Sequence, residues 1–346
     1  MQLIEYTPAY FECLKGAMER TGRASSLCHR PFVDYYYATR DWCKLYLFVA
    51  DDQTIVGTIG VERMRFRCGS HEVTLGFATN FHASQAGVGG YLFMQWMKSC
   101  QGGIVFGGSP DVHRILHQQQ WTYFPAVKTY YLNRPFTSHP DEDWWRVVAK
   151  KALRHAFQTK LSRYASHLPP QAVAALSVRE EPVYTKDLLP RHSPFVFRFA
   201  PSLDYLHWRY NGSLSFVHYR LFRILASDIS VGYVIINESP ERLIVAQCDG
   251  EDASSLAYGV LLSLLEAARG EQKPRWVILT SCHPEMQQIY THFGFKIQRR
   301  ARPFALGALR RRIDVPAESS HWLINYDWGD NGLRAPFLDQ KPVSSS

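Results

Sequence analysis

Three runs rich in β-branched and aromatic residues lie between residues 45 and 81, divided by the polar turns Asp51-Asp52-Gln53 and Cys68-Gly69-Ser70. They predict an antiparallel meander over 45–50, 55–66 and 73–81. Ahead of it, a short strand at 3–6 precedes two segments with helical spacing, 8–20 and 31–41. Behind it, a glycine-rich turn at 87–90 opens an apolar helix at 91–100. A buried strand at 103–107, a helix at 111–120 and a closing strand at 126–132 follow. A meander followed by a strand–helix–strand crossover predicts a mixed, mostly antiparallel central sheet flanked by helices.

A helical stretch at 141–167 ends at Pro169-Pro170. The element order then repeats. A helix at 202–210 leads to strands at 219–225, 229–237 and 242–248, a long helix at 253–268, a strand at 276–280 and a helix at 284–292. This is repetition of a whole domain and not a short solenoid period. The expected organisation is an N-terminal α/β domain over 1–140, a helical linker over 141–170, a second α/β domain over 171–335 and a flexible tail over 336–346.

Composition agrees with two ordinary domains. The chain has 346 residues, 46% hydrophobic and 20% charged. No apolar run approaches the ~20 residues that span a bilayer, and the first residues do not read as a signal peptide. Seven scattered cysteines without a C-x-x-C pair argue for a reducing cytoplasm and against a structural zinc site. No H-E-x-x-H, P-loop lysine motif or G-x-S-x-G elbow is present, so neither a metal centre nor a hydrolase or NTPase is expected. The net charge of +8, with a basic cluster at Arg299, Arg300, Arg302 and Arg310 to Arg312, suits an anionic partner.

The chemistry concentrates in LGFATNFHASQAGVGG, residues 75–90. A strand runs into a glycine-bearing helix start, whose unpaired N–H groups and positive dipole end can hold a pyrophosphate. Here the chain resembles the GNAT acyltransferase superfamily, whose fourth strand ends in a loop of the form R/Q-x-x-G-x-G/A. The frame is Ser84-Gln85-Ala86-Gly87-Val88-Gly89, with both glycines present and Ser84 in place of the leading Arg. The resemblance implies two tandem GNAT-like domains and an acetyl-CoA or longer acyl-CoA donor. Its pyrophosphate would lie on Ser84, Gly87, Val88, Gly89 and Gly90, and its pantetheine arm on Phe77, Ala78 and Thr79.

A second family feature is a helix reading roughly L-Y-x-x-x-G-F, whose Tyr serves as acid toward the leaving thiolate. Tyr290, before Gly294-Phe295, fits it in the second half, while Leu116 holds that place in the first and His117 stands beside it. Residues 206–210, LHWRY, also resemble the second half of bacterial tandem GNAT proteins. The would-be loop of the second half, 249–255, carries three acids and no G-x-G, so the donor is expected in the first half. Transfer to an amine needs a base and an oxyanion stabiliser. Glu72, His82 and His117 are the base candidates, with His71 a further one. The implied activity is N-acyl transfer to a primary amine of an amino sugar, amino acid or peptide, without DNA. Two other readings stand beside it: a Fem-type transferase using aminoacyl-tRNA, and a non-catalytic GNAT-like binding module.

Overall fold

A computed structural model describes residues 1–22, 25–134, 143–298, 303–307 and 315–326. The basic cluster from Arg299 to Arg312, apart from the interval 303–307, and the tail 336–346 lie outside the described residues. The first half comprises β1 (Gln2–Glu5), α1 (Phe11–Glu19), α2 (Arg30–Ala38), β2 (Cys43–Val49), β3 (Ile55–Cys68), β4 (His71–Ala83), α3 (Val88–Ser99), β5 (Gly102–Phe106), α4 (Pro110–Gln118), β6 (Thr122–Tyr123) and β7 (Lys128–Leu132). Then come α5 (Trp144–Phe157), a 3-10 segment Leu161–His167, α6 (Pro170–Ala175), β8 (Leu176–Glu181) and β9 (Phe197–Phe199). The second half continues with α7 (Leu203–Arg209), β10 (His218–Ala226), β11 (Ile229–Glu238), β12 (Arg242–Gly250), α8 (Ala253–Ala267), β13 (Trp276–Ser281), α9 (Pro284–Phe293), β14 (Lys296–Ile297), β15 (Phe304–Gly307) and β16 (Trp322–Leu323). Helix starts follow their caps: the Ser109 hydroxyl accepts from Val112 N at 3.3 Å and the Asp252 carboxylate from Ser255 N at 2.8 Å.

These strands make two mixed sheets. One runs β1-β2-β3-β4-β5-β15-β6, with β9 on the far end of β3 and β16 beside it; the other runs β14-β7-β13-β12-β11-β10-β8. The expectation that 126–132 closes the first sheet is corrected here. β7 pairs antiparallel with β13 of the second sheet, from Val277 opposite Leu132 to Ser281 opposite Lys128. In return β15 pairs with β5 of the first sheet, from Phe304 opposite Phe106 to Gly307 opposite Gly103. Each half covers an edge of the other that would otherwise present unpaired N–H and C=O groups. A boundary at residue 140 therefore divides the chain but not the folded unit.

Packing agrees with that exchange. α3 and α4 cover the outer face of the first sheet through Leu92, Trp96 and Leu116, and α8 and α9 cover the second through Val260, Leu261 and Tyr290. The largest core lies between the inner faces and draws on both halves, including Phe77, Ile104, Trp208, Ile235 and Trp322. A buried ion pair crosses it. Glu62 on β3 accepts from Arg209 Nε at 3.0 Å, from the Tyr36 hydroxyl at 2.6 Å and from the Tyr205 hydroxyl. The Tyr35 hydroxyl also donates to Trp208 O at 2.8 Å. The LHWRY segment is thus a joint between halves, and removing one partner of such a pair typically costs about 3–5 kcal/mol.

Candidate active site

Both sheets open into a V at the same place in the element order. β4 and β5 pair only from Leu75 opposite Gly102 to Phe77 opposite Ile104, while β4 runs on to Ala83. β12 and β13 pair only from Arg242 opposite Trp276 to Ile244 opposite Ile278, while β12 runs on to Gly250. Bulges accompany both openings, between Thr58 and Gly60 in the first sheet and between Ile235 and Ile236 in the second. Parallel strands pair here only until the bulge re-aims one of them.

In the first V the bulge is held by Asn80, whose φ of 48° lies in the left-handed region that asparagine tolerates. Its Nδ2 donates to the Tyr37 hydroxyl at 2.7 Å and its carbonyl accepts from the Thr58 hydroxyl at 2.8 Å. The Tyr37 hydroxyl also lies 3.1 Å from Thr79 Oγ1. Tyr37 and Thr58 carry no motif; only the fold brings them to the bulge.

The glycine loop follows. Gly87 has φ 83° and opens α3, with Gly90 N donating back to its carbonyl at 3.0 Å. A Cβ at Gly89 would meet nothing nearer than Ala83 Cβ at 3.7 Å, and one at Gly90 would meet nothing within 4 Å. Elsewhere in this half glycine answers packing: a Cβ at Gly76 would sit 2.6 Å from Cys100 Sγ and one at Gly103 2.5 Å from Trp121. The fold does not demand Gly89 or Gly90; their bare backbone lies open at a helix start, as close approach by an anion requires. The Ser84 hydroxyl turns inward and donates to Val56 O at 3.0 Å, so it anchors the loop to β3. A pocket of about 760 Å³ adjoins the loop, walled by Arg20 and Thr21 after α1, Ile55 and Val56 on β3, Phe81 to Ser84, and Ser109 and Asp111 at the start of α4.

The second V is filled by the chain itself. Segment 322–326 runs into it, and the side-chain amide of Asn325 pairs with β12 as a peptide would: Cys248 N donates to Oδ1 at 3.1 Å and Nδ2 donates to Cys248 O at 3.1 Å. The Thr280 hydroxyl on β13 donates to Ile324 O at 3.4 Å on the other side. Asn325 is buried, as are Ile324 and Tyr326. The three acids of the would-be second loop are engaged locally. Asp249 is ion-paired to Arg198, Glu251 accepts from Arg191 N at 3.2 Å, and Asp252 caps α8. Burial raises the Asp249 carboxyl to about 6, against the pull of Arg198.

The other predicted residues separate. His82 lines the first pocket and is half-buried. Phe77 and Thr79 are buried and Ala78 is half-buried, along β4 where the V opens. Glu72 sits at the β3–β4 hairpin, exposed and between Arg65 at 3.6 Å and Arg67 at 4.0 Å. It lies about 16 Å along the strand from Phe77, on the closed side of the V. His117 is exposed and stacks on Tyr123 at 4.5 Å. Tyr123 in turn meets His113 Nδ1 at 2.9 Å, and burial lowers the pKa of His113. Leu116 is fully buried under the sheet. Tyr290 is buried between Tyr130 and Phe295, each 6.0 Å away, and burial raises its pKa well above 10.

No family model matches the chain and no curated protein matches it by sequence. Solved structures match by shape. A conserved protein of Enterococcus faecalis, described as a probable N-acyltransferase, is 8% identical over 88% of this chain and 71% of its own, with a TM-score of 0.54. A GCN5-related N-acetyltransferase from Kribbella flavida is 12% identical over 89% and 72%, with a TM-score of 0.53. The N-myristoyltransferase of Saccharomyces cerevisiae, solved with myristoyl-CoA and inhibitors, is 10% identical over 90% and 81%, with a TM-score of 0.52. At such identities the likeness is one of fold, and with two sheets that open in the same way the chain has a GNAT-like fold in two tandem copies.

Proposed function

We propose that this chain is an acyl-CoA-dependent N-acyltransferase whose donor binds in the first V. The carrying observation is the contrast between the two openings: one adjoins an uncovered glycine loop, and the other is occupied by Asn325 and its neighbours. The pantetheine arm would add to the free edge of β4 beyond Phe77, as Asn325 adds to β12, and the pyrophosphate would lie on the N–H groups of residues 87–90. The likeness to acyltransferases, one of them solved with an acyl-CoA, supports this chemistry.

In the reaction the amine nitrogen attacks the thioester carbonyl, its proton passes to a base, and the C–S bond breaks to release CoA thiolate. His82 is the imidazole that lines the pocket, and we assign it the proton through a water. Leu116 offers no acid, but a thiol of pKa ~8.5 leaves tolerably as thiolate near neutral pH. The acceptor is a primary amine of an amino sugar, amino acid or peptide. The test is turnover: purified protein is mixed with acetyl-CoA or longer acyl-CoAs and a panel of amino sugars, amino acids and peptides, and thiol release is followed. Activity with an amine, lost in His82→Gln at unchanged acyl-CoA affinity, is expected; failure to bind any acyl-CoA would sink the proposal.

A further inference from the structure

The glycine loop brings N–H groups to an anion but no cation of its own. Ser84, the residue at the head of the loop, gives its proton to Val56 O and has no positive charge to offer. The same pocket nevertheless contains a guanidinium. Arg20 follows α1 directly, is exposed, and lines the pocket together with Ala83 and Ser84, the first residues of the loop. α1 packs on the opposite face of the sheet to α3, so Arg20 and the head of the loop come to this pocket from the two faces.

Arg20 has no competing partner that would hold it away. Among the described residues it forms no ion pair. Asp52 is within its electrostatic reach without pairing to it, and the Oδ1 of that carboxylate accepts from the backbone N–H and hydroxyl of Thr54, at 3.0 and 2.5 Å. Asp111, the acid in the same pocket, is matched by Arg114 at 3.2 Å. α1 ends at Glu19, where the Arg20 N–H closes the helix on Gly16 O, and the exposed side chain lies along that last turn, its Nη1 3.8 Å from where a Cβ on Gly16 would stand, from which it can turn to the pocket. A planar guanidinium suits paired phosphate oxygens, which it can engage bidentately.

We infer that Arg20 is a binding residue for the pyrophosphate of the donor, supplying from the end of α1 the charge that the loop lacks. The inference rests on the proposed donor site and adds a residue that no loop motif contains. It assigns the pyrophosphate, and not the 3′-phosphate of the adenosine, because the pocket adjoins the head of the loop.

Calorimetric titration of the full chain tests it. Arg20→Ala should weaken acetyl-CoA binding roughly ten- to a hundred-fold, the worth of a charge-assisted contact, and Arg20→Lys should recover part of the loss. Dephospho-CoA should show the same loss, and acetyl-pantetheine, which carries no phosphate, should bind wild type and Arg20→Ala equally. Binding of acetyl-CoA that is unchanged in Arg20→Ala overturns the inference and leaves the donor site standing. A loss that disappears with dephospho-CoA moves the contact to the 3′-phosphate and overturns the assignment. A loss that persists with acetyl-pantetheine makes the effect one of structure. If the wild type binds none of these donors, the donor site fails and the inference fails with it.

Discussion

The two V-shaped openings share a geometry and differ in what occupies them. In each, a parallel pair separates after three residues and a bulge turns the longer strand aside. In the first, β4 leads into exposed loop residues and a helix start with bare glycines. In the second, β12 ends buried at Asp249 and Gly250, its helix is capped by Asp252, and Asn325 bonds to its backbone. An open strand edge inside a protein must find partners for its N–H and C=O groups. The second half finds them in its own chain. The first has no such segment of its own among the described residues, and under the proposed function that role falls to the donor.

The sharpest way to break this comparison is to block one opening and then the other. Gly89→Glu puts a side chain and a negative charge where the donor phosphates would approach, and should weaken acyl-CoA binding by more than about 100-fold, since the carboxylate both blocks the approach to the loop amides and repels the phosphates. The counterpart in the second half, Ser254→Glu at the start of α8, should leave donor affinity unchanged. Titration of both variants with acetyl-CoA decides it; a reversed pattern would place the donor in the second half.

Much of this was legible in the sequence, for reasons that also show where legibility stops. Alternating apolar residues in β2, β3 and β4 declare strands because the period records which faces are buried. The same period says nothing about which edge a strand will join, so β7 reads as a strand and not as a strand of the other sheet. Gly87 and Gly89 are readable because glycine at a helix start has few uses. Asn325, by contrast, is one polar residue in a short segment, and its pairing with Cys248 exists only once β12 and β13 have separated. Glu72 has the right chemistry for a base, yet the register of β3 and β4 places it at the hairpin between two arginines.

A second test acts on the plug. Asn325→Leu keeps approximate volume but leaves the Cys248 N–H unpaired in the interior, while its C=O keeps only the bond from Gln247 Nε2 at 3.3 Å. An unsatisfied buried group costs about 1–3 kcal/mol, so a loss of about 2 kcal/mol in stability is expected. Chemical denaturation measures it. Donor affinity per folded molecule should not change if the donor binds in the first V as proposed; a large loss of affinity at unchanged stability would contradict the assignment.

The strand ends differ in charge as well, which gives a pH signature. Asp249 ends β12 in a buried site that raises its pKa to about 6, whereas β4 ends at exposed Ala83. Because the folded pKa lies above the unfolded one, the folded state holds the extra proton between about pH 4 and 6. Stability from this group is therefore greatest below pH 4, falls as pH rises through that window, and is level above it, a change of roughly 3 kcal/mol. Denaturant midpoints measured across pH 4 to 7 for the wild type and Asp249→Asn check the sign: the difference between the two should carry this slope, and a difference that rises with pH would refute it.

The smallest effect is expected where the sequence motif looked strongest. Tyr290 sits on the helix that supplies the thiolate acid in the family the chain resembles, and it lies beside Cys248 on β12, within electrostatic influence of that thiol. The motif implies a hydroxyl facing the second V. What the motif cannot report is that Asn325 already occupies the groove along β12, so no thiolate would form in front of the hydroxyl. The ring is instead packed between Tyr130 from β7 and Phe295 beyond α9, which makes Tyr290 part of the wall that receives the exchanged strand. Tyr290→Phe keeps that ring and should change stability by no more than about 1 kcal/mol, with turnover within about two-fold of wild type. Tyr290→Ala removes the packing and should destabilise by about 3–5 kcal/mol. A steep fall in turnover for Tyr290→Phe at unchanged stability, together with normal donor binding in Gly89→Glu, would mean that segment 322–326 leaves the second V during the reaction and that the working copy is the second one.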